Sequence, residues 1–378
     1  MASNKIDFLK LATQGVQLLH PYQPGKPLDE LEREYGISNA VKLASNENPL
    51  GPSPKVLSAI QAELENLTRY PDGNGFALKQ ALVKKYTNDG IASLSLENIT
   101  LGNGSNDVLE MVARAIVSPT DEVIYSEFAF AVYPIVTQAI GAKAVVVSAN
   151  NWGHDLDGML DAVTDKTKLI FIANPNNPTG TWLNEADIKA FMDALPSHIV
   201  VVLDEAYFEF ANHSEFGVKG YPDGLGMLNK YDNLVVTRTF SKAYGLAGMR
   251  VGYAVANQSL TNLFNRVRQP FNVNALALKA AEIALADTDY LNAGIQLNHQ
   301  QMQLLTKGLD SLGISYIPSI GNFLCFKVDD ATTCYENLLK QGIIVRPVAN
   351  YAMPDYLRVS IGTGPENQRF LTALENTL

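Results

Sequence analysis

Between Glu122 and Ala256 the chain alternates short apolar runs with longer stretches of helical spacing; the runs read EVIYS, AKAVVVS, KLIFIA, IVVVLDE, LVVTRTF and VGYAVA. Runs this short and this rich in β-branched residues suit buried strands, and their alternation with helical patterns marks strand–helix–strand units and a mainly parallel sheet. At 378 residues the chain has room for two or three domains and a large core.

Polar and aromatic residues collect just beyond these runs. EFAFAVY, with Phe128, Phe130 and Tyr133, follows the first; NPNNPTG (174–180) follows KLIFIA; the next ends in DEAY (204–207) and the next in RTFSK. Open α/β sheets place their ligand crevice at the carboxyl ends of strands, so one crevice can receive all of them. Two prolines make NPNNPTG a fixed turn that presents Asn177 rigidly. Asp204 closes an otherwise apolar strand, where burial is costly unless a cation or donor meets it. Lys242 lies between the hydroxyls of Thr239 and Ser241 and Arg250, which suits an amine that condenses with an aldehyde cofactor whose phosphate needs several donors. Taken alone, Lys242 reads equally well as a solvated loop lysine.

A further stretch, ITLGNGSNDVLEMVARAIVSP, reads as strand, glycine turn and helix, with Ser105 and Asn106 in N-cap positions and Asp107 in the first turn. A helix start after such a turn offers free N–H groups and a positive dipole end to a phosphate, although an ordinary capped helix has the same pattern. Helical patterns are also expected over 55–67, 76–88, 275–285 and 290–312. Strands are expected in NFLCFKV, IIVRPV and LRVSIGT. In the last of these Leu357, Val359 and Ile361 alternate with Arg358 and Ser360, which puts Arg358 on the face away from the apolar set. Arg346 and Arg358 are candidates for anion recognition, since a guanidinium fork meets carboxylate or phosphate bidentately. Tyr22 in HPYQPGKP, Asn46 in ASNENPLGPSP and Tyr70 in RYPDGNG sit on Pro/Gly-rich turns where nothing local separates packing from function.

A formal net charge of -10 argues against a nucleic-acid or anionic-membrane surface. The first twenty residues lack the apolar core of a signal peptide, and no apolar run reaches membrane-spanning length. The cysteines, Cys325 and Cys334, are too few for a disulfide framework, and the five histidines show no ligand spacing for a metal. A cytoplasmic protein without a structural metal is expected.

Taken jointly, GSND, NPNNPTG, DEAY, TFSK and GMR resemble, in order and spacing, the fold-type I aminotransferases (class I/II) that use pyridoxal 5'-phosphate (PLP), across essentially the whole chain. The resemblance implies an α/β fold: a large domain with a mainly parallel seven-stranded sheet sandwiched by helices (46–270), and a smaller α+β domain formed by 271–378 and joined by the segment 1–45. It implies that Lys242 carries PLP and shuttles the proton between substrate carbon and cofactor, that Asp204 pairs with the pyridine nitrogen, and that Asn177 and Tyr207 bond the ring oxygen. Phe130, or alternatively Phe128, would stack on the ring. The phosphate would meet Ser105, Asn106, Thr239, Ser241, Arg250 and, in a homodimer, Tyr70 from the neighbouring subunit. GSND departs from the Ala and second acid of many relatives, which leaves backbone contacts intact. HPYQPGKP, ASNENPLGPSP, RYPDGNG and LRVSIGT resemble the branch acting on histidinol phosphate and 2-oxoglutarate in histidine biosynthesis, with Arg346, Arg358, Tyr22 and Asn46 binding the substrate anion. Alternatives of similar sequence are an aromatic amino-acid aminotransferase and a phosphothreonine decarboxylase. A nucleotide-binding oxidoreductase or sugar-phosphate binder using GNGSND finds no support, because no G-x-G-x-x-G with a downstream ribose acid follows a first strand.

Overall fold

The computed structural model describes residues 6–91 and 94–377. In chain order its strands are β1 (Val41–Lys42), β2 (Ile99–Gly102), β3 (Glu122–Ser126), β4 (Lys143–Val147), β5 (Thr167–Ala173), β6 (Val200–Asp204), β7 (Leu234–Thr239), β8 (Gly252–Ala256), β9 (Tyr316–Ile317), β10 (Phe323–Lys327), β11 (Ile343–Ile344), β12 (Arg346–Pro347) and β13 (Tyr356–Ser360). Each of the six apolar runs is thus a strand.

A seven-stranded sheet has the order β2-β8-β7-β6-β5-β3-β4. From β4 across to β7 the pairings are parallel; β8 runs antiparallel to both β7 and β2. Side chains alternate between the two faces, and both faces are covered. Ile170, Ile172, Val201 and Leu203 pack with helices Phe76–Asn88 and Ala275–Ala286 in one apolar layer, while Leu169, Phe171, Val200 and Val202 pack with helix Ser105–Ile116 in the other. Burial on both faces explains why these strands read as unbroken apolar runs. The edge strand β4 is largely exposed, with Lys143, Ala144 and Val146 open to solvent. From β3 the chain passes outward to β4 and then returns to β5 on β3's other side, which puts the topological switch point between β3 and β5.

The second unit is built on the antiparallel sheet β12-β13-β10-β9, covered by helices Ala331–Lys340 and Gly364–Glu375 and by the C-terminal half of helix Thr288–Ser311. Leu305, Leu309, Phe326, Leu357, Val359 and Phe370 form its centre. β1 pairs in parallel with β11, Val41 opposite Ile343, which ties the N-terminal segment to this unit. The packing does not change over at residue 271. Ala277, Ala280, Ala281 and Ala284 let helix Ala275–Ala286 approach closely and belong to the large-sheet core, so the change of partner falls within the long helix Thr288–Ser311. Among the described residues no helix is long and apolar enough to cross a membrane.

Candidate active site

Registry brings the carboxyl ends of three central strands level: Ala173 lies opposite Asp204, and Asp204 opposite Thr237. Beyond that edge is a cavity of about 130 Å³, lined by Ser105, Asn106, Phe130, Asn177, Asp204, Tyr207, Thr239, Ser241, Lys242 and Arg250 among others. Residues from six separate stretches of chain thus face one space.

One end of the cavity gathers hydrogen-bond donors and a guanidinium, a set suited to an anion. Helix Ser105–Ile116 begins at Gly104, which has φ 84 and makes no side-chain cap, so Ser105 and Asn106 are its first helical residues rather than caps. The difference matters, because first-turn N–H groups without a capping side chain remain available to a ligand. A Cβ on Gly104 would sit 2.5 Å from the Arg250 guanidinium, so only glycine allows arginine and helix end to converge. Arg250 itself holds a left-handed backbone (φ 58), a conformation that costs free energy and needs surrounding structure to impose it. Its Nη1 donates to Ser241 Oγ (3.3 Å) and Ala247 O (3.1 Å). Among the described residues no carboxylate lies within ion-pair reach of it.

At the other end stands Asp204, 5 % exposed. Tyr133 Oη donates to its Oδ2 at 2.7 Å and Thr237 Oγ1 to its Oδ1 at 2.9 Å. Burial pushes its carboxyl up, and these hydrogen bonds oppose that rise. Lys242, part-buried between the two ends, donates from Nζ to Ser45 O at 3.0 Å. Burial first, then the charge of Arg358, brings its amine down to about 7. A lysine held there has a large neutral fraction at neutral pH, as a nucleophile or proton carrier requires. Phe130 lines the cavity, whereas Phe128 is packed on Trp152 with ring centroids 5.1 Å apart.

The remaining wall comes from the second unit. Arg358 on β13 donates from Nη1 to Asn177 Oδ1 (2.5 Å) and from Nη2 to Ala44 O (2.8 Å), while its buried Nε has no partner among the described residues. Arg346 on β12 is its direct cross-strand neighbour and donates to Gln23 O (2.8 Å), with Tyr22 beneath its guanidinium at 5.6 Å. Like charges directly opposite one another on a sheet repel. Both arginines are buried, at 7 % and 6 % exposure, and neither has a carboxylate partner among the described residues, so the pair calls for an anion. Asn46, with a left-handed backbone (φ 55), donates from Nδ2 to Tyr207 Oη (2.9 Å), and its own N–H donates to Ser360 Oγ (2.7 Å). Burial pushes the Tyr207 phenol up to about 12, with Arg358 opposing the rise. Tyr70 is elsewhere: it is 82 % exposed, stacks on Phe271 at 4.7 Å, and borders a separate surface groove.

Sequence reasoning passed over Tyr133 and Thr237 as partners of Asp204. It also passed over Arg238, fully buried behind the cavity edge, which donates from Nε and Nη2 to Glu205 Oε2 (2.9 and 2.7 Å) and from Nη2 to Asp223 Oδ1 (2.7 Å). A polar residue inside the strand LVVTRT, alternating with the hydroxyl pair, was the available signal.

A poised amine, a buried acid and an anion cradle at the carboxyl edge of an α/β sheet define a cofactor-dependent enzyme of the group-transfer class. The chain belongs to the aminotransferase class I and II family, whose profile matches residues 38–374. It is 56% identical over 375 residues to histidinol-phosphate aminotransferase 2 of Pseudomonas fluorescens, covering 98% of each chain. With histidinol-phosphate aminotransferase 1 of Idiomarina loihiensis it shares 55% over 368 residues, or 97% of each chain. The crystal structure of the Sinorhizobium meliloti histidinol-phosphate aminotransferase in complex with pyridoxal-5'-phosphate matches it with a TM-score of 0.85 at 30% identity, covering 97% of this chain and 96% of that one. The Thermus thermophilus aspartate aminotransferase with maleate, at TM-score 0.81 and 22% identity, shares the fold.

Proposed function

We propose that this chain is a PLP-dependent transaminase of histidine biosynthesis, exchanging the amino group between histidinol phosphate and 2-oxoglutarate to give imidazole acetol phosphate and glutamate. The observation that carries the substrate reading is the buried cross-strand pair Arg346 and Arg358, with no carboxylate of their own among the described residues. Histidinol phosphate offers a phosphate and no carboxylate, whereas 2-oxoglutarate offers two carboxylates. Guanidinium forks accept either anion, so one site serves both half-reactions. Tyr22 and Asn46 complete that subsite. The names of the relatives, at more than half identity over nearly the whole chain, support the same reading.

The residues lining the cavity fit PLP by the chemistry of their donors. When bound, PLP supplies a carbonyl that condenses with amines and a ring that withdraws electrons. Asp204 would hold a proton on the ring nitrogen, and Asn177 and Tyr207 would bond the ring oxygen. Phe130, on the cavity wall, would cover a ring face and exclude water from it. Ser105 and Asn106 N–H groups, the hydroxyls of Thr239 and Ser241, Arg250 and Tyr70 of the partner subunit would bind the phosphate. Lys242 would hold the cofactor through its amine and, when that amine is free, would carry the proton taken from the substrate carbon. The enzyme works as a cytoplasmic homodimer.

A donor panel tests the reading. Purified protein loaded with PLP is expected to lose its visible absorbance on adding histidinol phosphate and to regain it on adding 2-oxoglutarate. If tyrosine or phenylalanine discharges the band and histidinol phosphate does not, the substrate assignment is wrong. A protein that stays colourless with PLP removes the cofactor assignment as well.

A further inference from the structure

Asp204 has no cationic partner within ion-pair reach among the described residues, although burial makes its charge expensive. Each of its two oxygens is met by a neutral hydroxyl, Tyr133 on Oδ2 at 2.7 Å and Thr237 on Oδ1 at 2.9 Å, and the Ala206 backbone N–H adds a further neutral donor. We infer that Tyr133 and Thr237 are positioning residues of the cofactor site, a pair of hydroxyls that fixes the plane of Asp204 and keeps it an anion so that it can hold a proton on the ring nitrogen of bound PLP. The inference rests on the cofactor reading proposed above and extends it to residues that do not line the cavity.

The geometry supports this in three ways. A carboxylate has about four lone-pair sites, so these donors fix its orientation and still leave an acceptor site free toward the cavity. Two donors on the acid favour its ionised form, because a protonated Asp204 would carry a donor of its own that needs an acceptor. An arginine or lysine in their place would also stabilise the carboxylate, but its positive charge would compete with a protonated ring nitrogen, whereas hydroxyls add none. The hydrogen bonds also oppose the upward push that burial gives the acid.

Both donors are rigidly held. Thr237 is the direct strand neighbour of Asp204 in the β6–β7 pairing, so sheet registry fixes it. The Tyr133 ring is stacked on Phe171 of β5, with centroids 4.5 Å apart and planes 3° from parallel, and stands edge-on to Phe130 at 6.0 Å. The ring that supports the acid therefore also buttresses the aromatic on the cavity wall. Tyr133→Phe keeps both ring contacts and removes the oxygen alone.

The test is nitrogen NMR on protein loaded with PLP carrying 15N in the ring, together with half-reaction kinetics. In the parent protein the ring resonance is expected at its protonated position. In Tyr133→Phe and in Thr237→Val it moves toward the unprotonated position, and kcat falls about 10- to 100-fold, the range for one lost hydrogen bond to a charged group, while the donor KM changes only a few-fold. Thr237→Ser, which restores a hydroxyl, returns the resonance to the parent position. A variant pair that lowers Tm while the resonance stays in place means the hydroxyls only satisfy a buried acid, and overturns the inference. If Tyr133→Phe does not fold, the Thr237 valine and serine variants decide alone. A parent protein that binds no PLP fails at the cofactor reading itself; a parent that binds PLP, with both variants unmoved, fails only here.

Discussion

Lys242 has the most directly testable chemistry of any residue. Its neutral amine is the reactive form, and burial together with Arg358 brings its value from 10.5 down to about 7. The sign follows: below about 7 the amine is charged and unreactive, above it the amine is free. Attachment of PLP to the apoprotein should therefore speed up as pH rises through about 7 and level off above, not climb toward 10. In Arg358→Met, where one of the charges holding the amine down is gone, the midpoint should move upward. Rates of appearance of the visible band from pH 5 to 10 read both effects, and an unshifted midpoint in the variant would remove Arg358 from the account. Lys242→Ala should retain no covalent PLP by mass spectrometry.

At the scale of elements, much of the architecture was legible because each central strand is buried on both faces and announces itself as an apolar run. Phe76–Asn88 was legible to the residue because Gly75 and the Asn-Asp-Gly stretch at its end punctuate it. Contacts that depend on registry were not. Thr237 meets Asp204, and Arg346 meets Arg358, through strand pairings that no local pattern encodes. Nor was Gly104 legible as the cap, since its role follows from φ 84 and from Arg250 approaching from a distant part of the chain. Arg238 was the largest omission. It joins β7 to the end of β6 through Glu205, whose carboxyl burial pushes up to about 7 even with the arginine beside it. Arg238→Met should cost about 3–5 kcal/mol by leaving the buried Glu205 unpaired. A buried acid whose folded value lies above its unfolded one is tolerated when protonated and penalised once it must ionise. The loss should thus be smaller near pH 5 and grow as pH rises past 7, which urea denaturation at several pH values measures.

At the scale of the whole molecule the cavity is a joint between two units. The large sheet contributes Lys242, Asp204, Asn177 and Tyr207, while contacts to Ser45, Asn46 and Arg358 close it from the unit that carries β1 and β13. Tyr70 is absent from that joint, 82 % exposed, on a stretch where Leu64, Leu67 and Phe76 are also about half exposed. Exposed apolar side chains beside a groove suit a surface that a second copy of the chain would cover, and in a two-fold dimer the same patch serves both copies. If each cavity receives Tyr70 of the partner subunit, Lys242→Ala and Tyr70→Ala should complement each other. At limiting PLP each variant alone is inactive. Mixed by unfolding and refolding together, half of the dimers pair one of each, and in these one cavity holds both Lys242 and a tyrosine from across the interface. The mixture should recover about a quarter of the parent activity, with the other cavity of each hybrid dead. Activity no greater than the sum of the separate variants would place Tyr70 outside the site altogether.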